Sequence, residues 1–181
     1  MLNVQQTALL QAIDELDVAQ VELLLQELDP NFIDDEVGPP VSKLCDRLFG
    51  WWENLCEAYE ANAPLSEEEK AAQLKPYLEI LQLLIQAGAN LHLWDSEELY
   101  GPLWDAASAA CLPVVKLLIA HDVNPNTRDE EGLTILSSIS DLFFDCDFDE
   151  IDWSNALAEE RETLEYLRQH GAKMTKELTT S

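Results

Sequence analysis

The sequence predicts an all-α solenoid of stacked helical pairs, on three observations. The first is a beat close to 33 residues. Thr7-Ala8-Leu9-Leu10-Gln11-Ala12 aligns with Pro39-Pro40-Val41-Ser42-Lys43-Leu44, with Gly101-Pro102-Leu103-Trp104-Asp105-Ala106 and with Thr134-Ile135-Leu136-Ser137-Ser138-Ile139. The third positions, Leu9, Val41, Leu103 and Leu136, stand 32, 62 and 33 residues apart. The second observation is a later apolar pair in each copy. Leu24-Leu25 precedes Asp29-Pro30-Asn31, Leu83-Leu84 precedes Gly88-Ala89-Asn90, Leu117-Leu118 precedes Asp122-Val123-Asn124, and Tyr166-Leu167 precedes Gly171-Ala172-Lys173. The third is helical spacing within the copies, as at Val21, Leu24, Leu25 and Leu28, which predicts one buried face.

Two signals in common register resemble the ankyrin repeat, whose unit reads roughly G-x-T-P-L-H-x-A, then an apolar pair, then G-A-D/N. The best-kept copies are Gly132-Leu133-Thr134-Ile135-Leu136 and Leu83-Leu84-Ile85-Gln86-Ala87-Gly88-Ala89-Asn90. No His fills the T-P-L-H position, and Asp29 and Asp122 are read as replacing the helix-ending Gly. The resemblance spans nearly the whole chain and implies helix-turn-helix units joined by finger-like turns. It places four repeats in a single domain over 1–181, at about 5–37, 38–93 with an insertion at 50–75, 94–126, and 127–174 with an insertion at 143–160.

In the first repeat, Asp17 is the expected N-cap of the second helix, which ends near Asp29-Pro30. In the second, Ser66 and Glu69 have capping-box spacing, so a helix is expected to start there. It should stop before Pro76, with Pro76 opening the repeat's true second helix from about Tyr77 to Ala87. Leu112-Pro113 opens the second helix of the third repeat, packed by Val114, Leu117 and Leu118. The polar tail after Met174 is expected to fray. Both insertions fall between the helices of their own repeat and should project from the helical edge.

The formal charge is −26, from 36 Asp and Glu against 10 Lys and Arg. Such a field repels phosphates and anionic lipid, so direct nucleic-acid or membrane binding is disfavoured and a basic protein partner is favoured. The start, Met1-Leu2-Asn3-Val4-Gln5-Gln6, lacks a signal peptide's basic and apolar regions. Cys45, Cys56, Cys111 and Cys146 show no C-x-x-C spacing and suit a reducing compartment, so a cytoplasmic location is expected.

Candidate partner-binding residues follow from charge and aromaticity. The turns between repeats carry Asp34, Asp35 and Glu36, then Asp95, Glu97 and Glu98, then Asp129, Glu130 and Glu131. The resemblance makes these turns fingers, placing the acids in a row. One acid per turn is ordinary turn chemistry, but three exceed what the backbone requires. A further group, Asp145, Asp147, Asp149, Glu150 and Asp152, interleaves with Phe148, Ile151 and Trp153 as a flexible, adhesive patch. A calcium loop starting at Asp145 fails its template, with Glu150 at the Gly position and Ala156 at the Glu position. Trp52, Trp94, Tyr100 and Trp104 are aromatic anchor candidates, set against the tendency of large aromatics to be buried. His121 and His170 suit the last turns of helices.

No catalytic motif, metal-ligand spacing or phosphate loop is present, so neither an enzyme nor a cofactor is expected. The leading expectation is a protein-binding module for a basic partner, monomeric when alone. The resemblance extends this to an immunity protein neutralising a basic toxin such as a nuclease. A scaffold adaptor and an acidic mimic of nucleic acid remain open beside it.

Overall fold

The computed structural model describes residues 2–92, 101–128, 131–154 and 156–178. Among the described residues the chain is all-α and built of helical repeats, with no strand and only two isolated antiparallel bridges. It divides into two compact units, Met1–Asp105 and Ala106–Ser181.

The first unit opens with α1 (Val4–Asp14), whose free N-terminal amides are met by a reciprocal cap between Asn3 and Gln6, both bonds at 2.9 Å. Leu16 then takes a left-handed conformation (φ 54°) and turns the chain into α2 (Val18–Leu25). Asp17 caps α2 as expected, accepting from the Gln20 amide at 3.0 Å. Val21 is the one fully buried residue of α2, while Leu24, Leu25 and Leu28 are half-buried. After a finger turn come α3 (Pro40–Asp46), α4 (Leu48–Glu60) and α5 (Glu67–Gln86). The α1 helix packs on α2 and α3, and α5 packs on α2 and α3. Leu9, Ile13, Leu44, Ile80, Leu81 and Leu84 form the core, each such side chain contributing about 1.5–3 kcal/mol by leaving water.

The insertion in this unit is helical. The α4 helix buries Leu48, Trp51 and Leu55 on one stripe, and the Tyr77 hydroxyl ties α5 to the start of α4 by donating to the Arg47 carbonyl at 3.2 Å. The Ser66–Glu69 capping box starts α5, but the helix does not stop before Pro76. It runs through, with Pro76 in its interior. Proline removes the bond that residue 76 would donate to the Ala72 carbonyl. Burial of Leu74, Tyr77, Ile80, Leu81 and Leu84 along the same face holds the helix together across that gap.

The α6 helix (Pro102–Ser108) carries the chain into the second unit. Ala110 (φ 47°) repeats the turn made by Leu16, and Cys111 donates back to Ala106 just as Asp17 donates back to Ala12, both at 2.9 Å. Then follow α7 (Leu112–Ala120), α8 (Ile135–Phe144), a 3₁₀ turn (Phe148–Glu150), α9 (Ala158–Gln169) and α10 (Thr175–Leu178). The α9 helix packs on both α7 and α8 around Val115, Leu118, Ile135, Leu136, Ile139, Leu164 and Leu167.

The segment after Met174 does not fray through Leu178. Met174 is 1% exposed, and the Arg168 guanidinium grips the Glu177 carboxylate with two bonds, at 2.5 and 2.8 Å. The Thr134 hydroxyl donates to the Lys173 carbonyl at 2.7 Å, and the Thr134 amide donates to the Thr175 hydroxyl at 2.8 Å. A polar segment is thus ordered by partners far from it in sequence.

Candidate functional site

The finger in the first unit is closed by an antiparallel bridge, Asp34 to Gly38, with amide-to-carbonyl distances of 3.1 and 3.0 Å. Gly38 sits at φ 70°, which favours a residue without Cβ. Asp34 is itself part of the turn: its carboxylate accepts from the Glu36 and Val37 amides at 3.0 and 3.1 Å. Asp35 and Glu36 have no such duty and are exposed.

Beside this finger lies an open groove of about 540 Å³. Leu2, Leu10 and Val37 give it an apolar floor, while Asp14, Asp34 and Lys43 supply its charges. Lys43 pairs with Asp14 at 2.9 Å, and Arg47 approaches the same oxygen at 3.7 Å. The hydrogen bond from Lys43, with the positive charges of Lys43 and Arg47, holds the Asp14 carboxyl below its ordinary range despite some burial. Trp52, on α4, is half-buried and is not among the lining residues.

In the second unit, the finger is closed by a bridge from Arg128 to Thr134, and the Arg128 guanidinium donates to the Gly132 carbonyl at 2.7 Å. Arg128 is therefore engaged within its own finger, and Glu131 is exposed beside it. Asp129 and Glu130 lie outside the described residues, as do Trp94, Asp95, Glu97, Glu98 and Tyr100.

The insertion after α8 departs from the expected loose patch. Phe144 and Phe148 each meet Trp153 edge-on, at 5.6 and 5.7 Å between ring centres. Arg161 lies over Trp153 and Arg168 over Phe148, at 5.9 and 5.8 Å. Ile151 is only 8% exposed. Interleaved aromatics leave water by packing on one another, so they form a small local core. Trp153 and Phe148 remain half-buried rather than free.

The acids of this insertion are also differentiated. Asp145 ends α8 in a left-handed conformation (φ 52°). Asp147 pairs with Lys176 at 2.6 Å. Asp152 accepts from the Ser154 amide at 3.0 Å, and that bonding lowers its carboxyl below the ordinary range. Asp149 and Glu150 are exposed in the 3₁₀ turn. Among the described residues no three His, Cys, Asp or Glu side chains converge as a metal site.

Trp104 requires a correction. It is 1% exposed on α6 and belongs to the core, because a large aromatic ring gains most by leaving water. A side chain so enclosed cannot touch a partner. His170, at the end of α9, sits 2.9 Å from the Tyr166 carbonyl by Nδ1 and stacks on the Tyr166 ring. That placement fits the helix-end role expected for it.

Sequence reasoning missed a paired feature that organises both fingers' approaches. In the first unit, the Asn31 side chain donates to the Gly88 carbonyl at 2.9 Å and accepts from the Asn90 amide at 2.6 Å. In the second, Asn126 donates to the Gly171 carbonyl at 2.9 Å and accepts from the Lys173 amide at 2.8 Å. The amides of Asn31 and Asn126 are in turn received by the side chains of Asp29 and Asn124, two residues earlier, at 2.9 and 3.0 Å. The recurrence of Asp29-Pro30-Asn31 and Asn124-Pro125-Asn126 was the available signal. It also corrects the register of the first copy. Asp122 does take the left-handed position of a helix-ending Gly (φ 63°), whereas Asp29 matches Asn124 instead.

Helical pairs turned by left-handed residues, closed fingers and cross-linking asparagines define a helical-repeat scaffold. Residues 103–137, from α6 into the first turn of α8, match the family model for ankyrin repeats (many copies). That segment is similar to ankyrin repeats, a family of protein-interaction modules. No curated protein matches the chain. No helix among the described residues is long and apolar enough to cross a membrane.

Proposed function

We propose that this chain is a non-enzymatic, cytoplasmic module that captures a positively charged protein. The observation that carries the reading is a protein-interaction repeat combined with a formal charge of −26. The exposed acids Asp35, Glu36, Glu131, Asp149 and Glu150 contribute to that field without bonds of their own to the turns they occupy. Complementary charge accelerates encounter and rejects acidic competitors, while half-buried Trp52 and Trp153 can add aromatic contact area. The partner best suited to the field is a protein that grips nucleic acid through a basic surface. Covering that surface would neutralise a nuclease-type toxin, the action of an immunity protein.

The test is retention of partners from source cells on the immobilised protein, washed at about 0.1 M and then about 0.5 M salt, because screening weakens surface charge pairs. The expected result is a basic protein held at the higher salt, whose nucleic-acid-cleaving activity falls as this chain is added. Retention limited to salt-labile basic proteins would assign the charge to solubility and remove the reading. A retained partner with undiminished activity would leave an adaptor in place of an inhibitor.

A further inference from the structure

The second unit has a groove of about 540 Å³, lined by Leu133 from the finger, Ser137 and Asp141 from α8, Cys146 and Asp147 from the insertion, and Thr175 and Lys176 from α10. Among the described residues Lys176 is its one cationic lining residue, and the segment that delivers it has several other anchors. The Arg168–Glu177 grip, the buried Met174 and the Thr134–Thr175 bonds all seat α10. The Lys176 ammonium reaches the Asp147 carboxylate at 2.6 Å, 29 residues away in sequence. Asp141, exposed on α8, lines the same groove.

Two titrating groups register the field around this groove. Burial, then the carboxylates of Glu150, Asp145, Asp147 and Asp141, raise the Cys146 thiol above its ordinary range. The bond to Asp147, with the charges of Asp147, Asp149 and Glu150, raises the Lys176 ammonium against a smaller opposing effect of burial. The groove thus favours a cation from the insertion side, the α8 side and the 3₁₀ turn together.

We propose that this groove receives a lysine or arginine side chain of the protein partner between Asp141 and Asp147, and that Lys176 is a tethered competitor for the Asp147 carboxylate. The proposal rests on the reading of the chain as a binder of basic proteins. A side chain entering here would lay its aliphatic stem against Leu133 and its charged head against the carboxylates, as long cationic side chains do at apolar edges. Entry would displace Lys176 into water, which its 55% exposed side chain allows without disturbing α10. The competitor lowers affinity for an isolated cation and so favours a partner that brings further contacts.

The experiment uses the full chain and an acetylated hexa-arginine peptide at about 0.05 M salt, where exposed charges act over a longer range. Two readouts are taken: affinity, and the rate at which iodoacetamide alkylates Cys146, with the half-buried Cys56 of the first unit as internal control. The expected result is that the peptide slows alkylation of Cys146 but not of Cys56. Lys176→Gln should bind about two- to fivefold more tightly, and Asp141→Asn more weakly by a similar factor, the size of one exposed charge pair. Peptide binding without protection of Cys146, and with Lys176→Gln unchanged, would overturn the groove while leaving the basic-partner reading intact. No binding by either the parent chain or Lys176→Gln would overturn both.

Discussion

The side-chain amide of Asn31 donates to the carbonyl of Gly88 across 2.9 Å, although 57 residues separate them in the chain. The same side chain accepts from the Asn90 amide, so one residue fixes both the Gly88 carbonyl just past α5 and the amide two residues further on. Asn126 makes the corresponding pair of bonds to Gly171 and Lys173. Two amide groups, each satisfying one donor and one acceptor, are what a turn needs when its helix ends in a left-handed residue and leaves those groups unpaired.

The first prediction concerns this clamp. Asn31→Ala and Asn126→Ala should each lower stability by about 1–2 kcal/mol, because each removes two bonds that are partly replaced by water. At this chain length the shift in Tm is about 2–4 °C per kcal/mol. Thermal unfolding of the two variants checks it, and unchanged midpoints would show that water substitutes fully for the asparagine.

Much of the fold was legible because its signals are local. Asp17 and the Ser66–Glu69 pair announce helix starts within a span of three residues, and the structure uses them as caps. The features that escaped depend on distant partners. Pro76 reads locally as a helix start, yet five buried side chains on either side of it carry α5 straight through. The tail beyond Met174 reads as polar and loose, yet Arg168 and Thr134 hold it. The acids were easy to find, but not their employment: Asp34 serves its own turn, and Asp147 faces Lys176. Nothing in the spacing of Trp104 distinguishes a contact from a core side chain; that depends on its tertiary surroundings, which leave it 1% exposed.

Left-handed residues supply a second prediction. Asp122 occupies φ 63° with its side chain exposed, at the position where Gly88 and Gly171 stand in other copies. Glycine adopts this conformation without steric cost, whereas a side chain is strained there. Asp122→Gly should therefore stabilise the chain by about 0.5–1 kcal/mol, and Gly88→Ala, at φ 84°, should destabilise it by a similar amount. Denaturant unfolding of both variants would show opposite shifts in midpoint with an unchanged slope.

The C-terminal grip makes a prediction about acid. Hydrogen bonding from Arg168 and from the Met174 amide lowers the Glu177 carboxyl from its ordinary value of 4.5 to about 2. The folded state therefore holds this proton less readily than the unfolded chain, and stability rises with pH between those values. The contribution is complete above about 4.5 and is lost as pH falls through about 2. An NMR titration should place the Glu177 midpoint near the lower value, with α10 released over the same range. In Glu177→Gln the docking of α10 should be weaker at neutral pH and insensitive to this window.

The finger acids supply the last prediction, which separates steering from adhesion. Asp34 holds the turn through the amides of Glu36 and Val37, so replacing it would confound charge with backbone structure. Asp35 and Glu36 are exposed and make no such bonds, so Asp35→Lys with Glu36→Lys changes the field while sparing the hairpin. With a basic partner in hand, this double reversal should slow association several-fold at about 0.05 M salt and much less at about 0.5 M, where screening shortens the reach of each charge. Dissociation should change little, because rim charges act mainly before contact. Stopped-flow association at the two salt concentrations is the measurement. An equal loss at both, carried by faster dissociation, would place these residues inside the interface rather than at its approach.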